Sequence, residues 1–376
     1  MVDGDFAGVD HRWYEVSLKV APCADEVVVV SRQGQALRGL ALLLLVYALP
    51  AALLSGSTSA PLTPSPAVAG PVSPGPSSPI PSSPAPNLLP STVPGPPVSP
   101  LTGLPTDLGA PVLCVKIDNA AVARPQSGLE LADVVYVEPV EGGLSRLLAV
   151  YQSRIPPVVG PVRSSRASDV QLLANFGRPA LAFSGAAAEV GALVARAPVL
   201  DVSALTRPGA YHRDWRRPMP HNLYGDARAL RQGGTPPQDI GFRFGPAPPG
   251  GRPVPMTEVR YPATAIGMQW VPAEARWVIS MDGAPLMSAS GPRPSAATVV
   301  LQRVPVRDTG VRDAAGSPSP FAATAGAGDA VVLRDGLAFT GSWSRPAPDA
   351  VTTFTLPDGS PLTFAPGPVW VILVPA

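Results

Sequence analysis

The apolar positions of this chain fall into two regimes. Leu40 to Leu54 is almost wholly apolar, follows Arg32 and Arg38, and closes on the small residues Ser55-Gly-Ser57. Basic residues, a short apolar run and a small-residue exit form the layout of a secretory signal. The run is shorter than the roughly 20 residues of a comfortable spanning helix, and Pro50 interrupts it, so removal is its natural fate and a short or tilted anchor the alternative. From Leu101 onward the apolar runs shorten to strand length. Val112 to Ile117, Val134 to Val137, Leu147 to Tyr151 and Pro179 to Phe183 read as buried strands. Ala167 to Phe176 and Ala187 to Arg196 carry helical spacing, with Ser165 or Ser168 as a cap for the first, and Asp226 to Gln232 as a short closing helix. After a break, Trp277 to Met281, Thr298 to Leu301, Ala330 to Leu333, Val351 to Phe354 and Val369 to Val374 read as further strands. Asp282-Gly283, Asp335-Gly336 and Asp358-Gly359 supply hairpin turns among them.

These patterns predict an α+β protein: an N-terminal mixed-sheet α/β-like domain over 101–232, a linker over 233–255 and a smaller β-rich domain over 256–376. Ahead of them stand an extension over 1–39, a signal or anchor segment over 40–57 and a stalk over 58–100. The stalk is mostly Pro, Ser, Ala, Gly and Val without a charge, and with 51 Pro in 376 residues part of the chain has no means of building a core. Such a segment favours polyproline II and, at about 3.1 Å per residue, reaches on the order of 140 Å. The extension is longer than a signal n-region, which points to a true start near Val27 to Val30; a small cytoplasmic tail is the other reading. The folded part is therefore expected outside the cytoplasm, anchored at the membrane or secreted.

Net charge is only +1, so no global field recruits nucleic acid. Cys23 and Cys114 lie on opposite sides of the apolar segment and are not expected to pair, and Cys114 reads as a buried strand thiol. No Cys pair, His-Glu-x-x-His helix, Gly-x-Ser-x-Gly elbow or cofactor motif occurs, so neither metal nor cofactor is expected. Gly326-Ala-Gly328 opens no predicted helix and reads as a turn. Trp343 and Trp370 read as core.

Polar residues instead gather in five blocks: Lys116-Ile-Asp-Asn119, Ala123-Arg-Pro-Gln-Ser-Gly128, Glu138-Pro-Val-Glu-Gly-Gly-Leu-Ser-Arg146, Gly160-Pro-Val-Arg-Ser-Ser-Arg166 and Pro218-Met-Pro-His-Asn-Leu-Tyr224. Most follow a predicted strand, where open α/β sheets bind ligands. Together with Leu101-Thr-Gly-Leu104, Ala132-Asp133, Gly341-Ser-Trp343 and Gly367-Pro-Val-Trp-Val-Ile372, these blocks resemble, in order and spacing, the YerB-like family of bacterial predicted lipoproteins. That family is defined by a two-part domain of unknown function. The resemblance covers nearly everything after Pro100 and implies no activity. Family members usually carry a lipobox cysteine where this chain has Ser57, so either the lipid is lost or the apolar helix is kept as the anchor.

Two readings of the blocks stand side by side. Arg163 and Arg166, just before a predicted helix, form an anion site completed by Arg124 and Arg146; or the four arginines neutralise Asp118, Glu138, Glu141 and Asp169 in a structural network. Lys116, Asp118, Asn119, Arg124, Glu138, Glu141, Arg146, Arg163, Arg166, His221 and Asn222 are the candidate ligand-binding residues. A carboxylate pair drawn from Glu138, Glu141 and Asp118 is the catalytic alternative, a wall-glycan hydrolase or lyase. For His221 the simplest role is a hydrogen bond to a loop with Tyr224 packed beneath it. Binding or regulation at the cell envelope leads, with an envelope protein or a wall polymer as partner and the membrane itself through Leu40 to Leu54 if uncleaved.

Overall fold

The computed structural model describes residues 97–313 and 316–376. The extension, the apolar segment and the stalk up to residue 96 lie outside the described residues. Residues 97–100, which the sequence assigns to the stalk, already belong to the fold. Val98 pairs with Pro105 and Ser99 is buried, because the backbone of 97–106 closes on itself through Ser99–Leu104 and Pro97–Thr106 hydrogen bonds.

Strand dominates and helices are few and short. Three strands centre the fold: β1 (Leu113–Asp118), β2 (Val134–Pro139) and β3 (Ser145–Tyr151), with β3 antiparallel to both. Beyond β1 the sheet continues in parallel through Ala180–Ala182 and Leu200–Asp201. Beyond β2 it continues, also in parallel, into the last strand of the chain, Val369–Pro375, which is parallel in turn to Thr298–Val304. Gly326–Arg334, Leu337–Arg345 and Thr353–Thr355 complete that side as antiparallel neighbours. Strands from both sides of the 233–255 segment thus form one 11-stranded mixed sheet.

Every residue of β1 and β2 is buried, since each face of the sheet is covered. One face (Val115, Ile117, Val137, Leu147, Trp370, Ile372) packs on a second sheet built around Met256–Tyr261, Thr264–Val271 and Arg276–Met281, through Val259, Ile266 and Trp277. The opposite face (Cys114, Tyr136, Leu148, Val371) packs on α1 (Ala167–Leu173), α2 (Ala188–Val194) and a cluster of Phe242, Phe354 and Phe364. Tyr261 bridges two of these layers, its hydroxyl donating to the Leu373 carbonyl at 2.8 Å.

Asp282-Gly283 and Asp335-Gly336 adopt positive φ at both positions, as two-residue hairpin turns require. At Gly336 a Cβ would fall 2.8 Å from the Trp270 ring, so both conformation and space demand glycine. Other details differ from the pattern. Gly326-Ala-Gly328 is strand rather than turn, and its second glycine makes room for Trp343, whose indole N–H donates to the Arg303 carbonyl at 2.7 Å. Trp343 and Trp370 are core. The α1 helix ends at Leu173, three residues early, and its first turn is served by neither Ser165 nor Ser168: the Asp169 side chain accepts from the Arg166 N–H at 2.7 Å. Among the described residues no helix is long and apolar enough to cross a membrane.

Because Val369–Pro375 is a central strand, ending the full-length chain at Pro368 strips β2 and Thr298–Val304 of their shared neighbour. We expect that truncation to abolish the cooperative thermal transition, the loss exceeding the roughly 5–15 kcal/mol a domain has in hand. Far-ultraviolet circular dichroism on heating checks it, and an unchanged transition would show the strand to be dispensable.

Candidate functional site

Asp118 at the end of β1, Arg146 at the start of β3 and Glu138 near the end of β2 are register partners, so three charged side chains line up across one end of the sheet on its helix-covered face. Lys116, two residues back along β1, shares that face. Its ammonium is fully buried, 2.8 Å from Glu138 Oε1 and 2.6 Å from Asp169 Oδ1. Burial first, and the Asp169 charge second, push the Glu138 carboxyl up to about 8 against the pull of Lys116. Glu138 Oε2 has no donor of its own; Asp169, hydrogen-bonded to Glu138, is held by Lys116 below the usual carboxylate range despite its burial. The Ser165 hydroxyl and the Arg166 backbone N–H complete the shell of Asp169.

Above this floor runs the 160–166 loop, pinned to β1 by backbone bonds from Asp118 N–H to Pro161 and from Arg163 N–H to the Lys116 carbonyl. Arg166 turns from it to grip Glu141 with two bonds, Nε to Oε1 at 2.5 Å and Nη2 to Oε2 at 2.6 Å. Glu141 sits in the turn that follows β2, so it leaves the strand and reaches the loop while Glu138 points down to Lys116. Burial alone would raise Glu141, but Arg166, with help from Ser319 and Arg146, brings it down to about 2. Arg146 lies behind this pair, its nearer Nη1 3.7 Å from Glu141, buried and without a hydrogen-bond acceptor. Burial, then repulsion from Arg166, lowers it to about 10.

Arg163 and His221 share Asp118, at 2.9 Å and 2.7 Å from Oδ2. The Arg163 contact is an ion pair only: its Nε–H is not aligned on that oxygen and finds no acceptor. His221 therefore bonds a carboxylate rather than a loop, and Tyr224 lies not beneath it but stacked on His212, with centroids 5.9 Å apart.

Of the candidate residues, Asp118, Glu141, Arg146, Arg163, Arg166 and His221 come together in one partly exposed strip. Lys116 and Glu138 are the buried floor. Arg124 stands aside, paired with Asp282 of the second segment at 2.7 Å and bonded to the Asn119 carbonyl. Asn119 and Asn222 are buried and hold loops: Asn119 bonds Ser145 and Gln126, and Asn222 accepts from Arg213. Ser319 and Arg312 line a groove with Glu141 and Arg166, Trp215 stands exposed in the loop that leads to His221, and none of the three was among the candidates. Only Trp215, an indole in a run of arginines and prolines, carried a signal that sequence could offer.

The strip lies at the opposite end of the sheet from the point of chain entry. Residues 97–112 dock where β2 begins and β3 ends, Gln152 Nε2 donating to the Asp107 carbonyl beside the Asp133 carboxylate, which itself accepts the N–H groups of Gln152 and Ser153. The length of β1 and β2, on the order of 20 Å, separates the two ends.

Residues 101–239 match the N-terminal domain, and residues 257–371 the C-terminal domain, of the family described as a protein of unknown function (DUF3048). Over 82 residues the chain is 46% identical to "Putative lipoprotein YerB" of Bacillus subtilis, a stretch that is 21% of this chain and 24% of that protein. The match thus spans about a quarter of the relative's length. The crystal structure of the YerB protein from Bacillus subtilis is similar with a TM-score of 0.62, covering 74% of this chain and 97% of that one at 22% identity, a likeness of fold.

The buried floor generates a pH dependence. Glu138 is raised from 4.5 to about 8 on folding, so the native state holds a proton that the unfolded chain releases; its stabilising contribution is complete below about 4.5 and is lost as pH rises through about 8. Stability should fall from pH 5 to 8 with a slope approaching 1.4 kcal/mol per unit, about the limit for one proton. Glu138→Gln, an isostere of the protonated acid, should remove most of that slope in denaturant titrations. An unchanged slope would place the titration elsewhere.

Proposed function

We propose, starting from the fact that this chain belongs to the DUF3048 family, that its folded part is an extracytoplasmic, envelope-associated binding module whose strand-end strip receives an anionic group. The observation that carries this reading is the unmet hydrogen-bonding capacity of Arg146, whose buried Nη1 has no acceptor, beside Arg163, whose Nε faces Asp118 Oδ2 at 2.9 Å without hydrogen-bond alignment. Buried donors are normally satisfied, and a buried guanidinium costs more than most groups to leave short of partners. The charge count points the same way. Lys116, Arg146, Arg163 and Arg166 carry four positive charges; Asp118, Glu141 and Asp169 carry three negative ones while Glu138 keeps its proton. An anion placed over Arg146 and Arg163 supplies both the acceptors and the missing charge.

The envelope setting rests on the apolar segment and charge-free stalk of the sequence and on the lipoprotein name of the Bacillus subtilis relative. It also suits the geometry, since the chain enters the fold at the end opposite the strip and a stalk would present the strip away from its anchor. Whether anchored or secreted, its partner is an envelope protein or a wall polymer. The glycan-cleaving alternative loses ground on the carboxylates themselves. Glu141, held near 2 by Arg166, keeps no proton to donate, Glu138 is sealed beneath the loop, and Asp118 is shared by Arg163 and His221.

Arg163→Gln should fold with an unchanged melting temperature while losing salt-sensitive binding of inorganic phosphate, followed by calorimetric titration at two ionic strengths. Arg166→Gln strands the Glu141 carboxylate and should cost about 2–3 kcal/mol in denaturant unfolding. Equal destabilisation by both, with binding per folded molecule unaltered, would reduce the strip to a structural network.

A further inference from the structure

The strip does not end at its charges. On the His221 side the chain rises into the loop 214–220, which is firmly built: Arg217 donates to the Ala123 and Pro125 carbonyls at 2.9 Å each, Asp214 N–H to the Asn222 carbonyl at 2.9 Å, and His221 N–H to the Pro218 carbonyl at 2.9 Å. So anchored, the loop nevertheless holds Trp215 74% exposed and Met219 63% exposed. An exposed indole offers a flat apolar face with a polar edge on which a ring can stack. On the Arg166 side lies a groove of about 290 Å³ between the 164–166 loop and the strands Val306–Arg312 and Pro318–Ala322, with Glu141, Ser164, Ser165, Arg166, Arg312 and Ser319 on its walls. That volume is near the lower bound for small-molecule pockets and suits one small ring. Its walls offer hydroxyls, two guanidinium groups, the carboxylates of Glu141 and Asp313, and the apolar side chains of Ala187, Val190 and Val311.

The two flanks are joined without a gap in bonding. His221 leads from the loop to Asp118, Asp118 to Arg163, the 163–166 backbone to Arg166, and Arg166 to Glu141 at the groove. A small ion would engage only the middle of such a path. Charge narrows the occupant further, because Arg213 just before the loop and Arg217 within it add positive charge while Arg216 and Asp214 pair with each other.

We infer that the strip is the centre of an extended cleft for an anionic glycan, a carbohydrate strand bearing carboxylates: the acid group seats over Arg163 and Arg146, one sugar ring stacks on Trp215, and another enters the groove beside Arg166. This rests on the anion-binding reading and adds to it the polymer, the stacking residue and the direction of the strand. Hydroxyl-rich walls with one aromatic platform match sugar rings, which present polar edges and an apolar face.

Full-length protein in detergent, titrated by calorimetry and tryptophan fluorescence, provides the test. The probes are inorganic phosphate, uncharged chitotetraose, and a tetrasaccharide alternating N-acetylglucosamine with carboxylate-bearing N-acetylmuramic acid. The carboxylated tetrasaccharide should bind at least about ten-fold more tightly than either of the others. Trp215→Ala should remove about ten-fold of that affinity and leave phosphate binding unchanged, while Arg163→Gln should weaken both. If phosphate binds but the tetrasaccharide gains nothing over it, or if Trp215→Ala is without effect, the glycan cleft is overturned and the anion site stands. If no anion binds the unaltered protein, the anion reading itself falls and the cleft with it. Quenching of Trp215 by a peptide copying residues 61–96, but by neither sugar, would assign the loop to the chain's own proline-rich segment and overturn the inference.

Discussion

An ammonium with no exposure to water, Lys116, ties three elements together at one point. Its two carboxylate partners come from β2 and from the first turn of α1, and the backbone carbonyl of Lys116 itself holds the 160–166 loop. Taking one cation and two acids out of water is costly, and the attraction among them repays that only with short contacts and a full set of hydrogen bonds. The structure meets the condition by placing Ser165 and the Arg166 N–H on Asp169 and by leaving Glu138 its proton. Such a cluster tolerates little displacement, so β1, β2 and the start of α1 are fixed relative to each other where the ligand strip is laid.

From that floor upward the charges change character. The floor is closed and neutral, the pair above it joins Arg166 to Glu141 in bidentate geometry, and Arg146 behind that pair and Arg163 beside Asp118 keep donors in reserve. Burial raises an acid at the bottom, while a neighbouring guanidinium lowers an acid a few residues away, so two glutamates three positions apart in the chain hold opposite protonation states. The division follows from Pro139 and the turn after it, which carry Glu141 out of the sheet and over to the loop.

The sheet explains why the two sequence segments coexist in one family of paired domains. The last strand enters between β2 and Thr298–Val304 and is parallel to both. The second segment also reaches the strip directly, since Ser168 and Gln171 of α1 accept backbone N–H groups of Ala322, Thr324 and Ala325. One wall of the groove is therefore built by residues more than 140 positions away from the other.

What could be read from the chain was local. Apolar runs at strand length, Asp-Gly turns at positive φ, two short helices and a set of polar blocks following strands are all properties of neighbouring residues, and each was visible because a backbone of given composition has few stable conformations. The gathering of Asp118, Arg146, Arg163 and Arg166 was legible too, since strand ends in one sheet come together. The partners were not. Arginines were expected to neutralise Glu138 and Asp169, yet a lysine does so, and Arg124 turned to Asp282 instead. Register and layer order decide which charges lie within 3 Å, and those depend on contacts among residues far apart in sequence. The same holds for the final strand's place at the centre of the sheet and for Trp215, whose exposure depends on how Arg217 and Asn222 fold its loop back onto the protein.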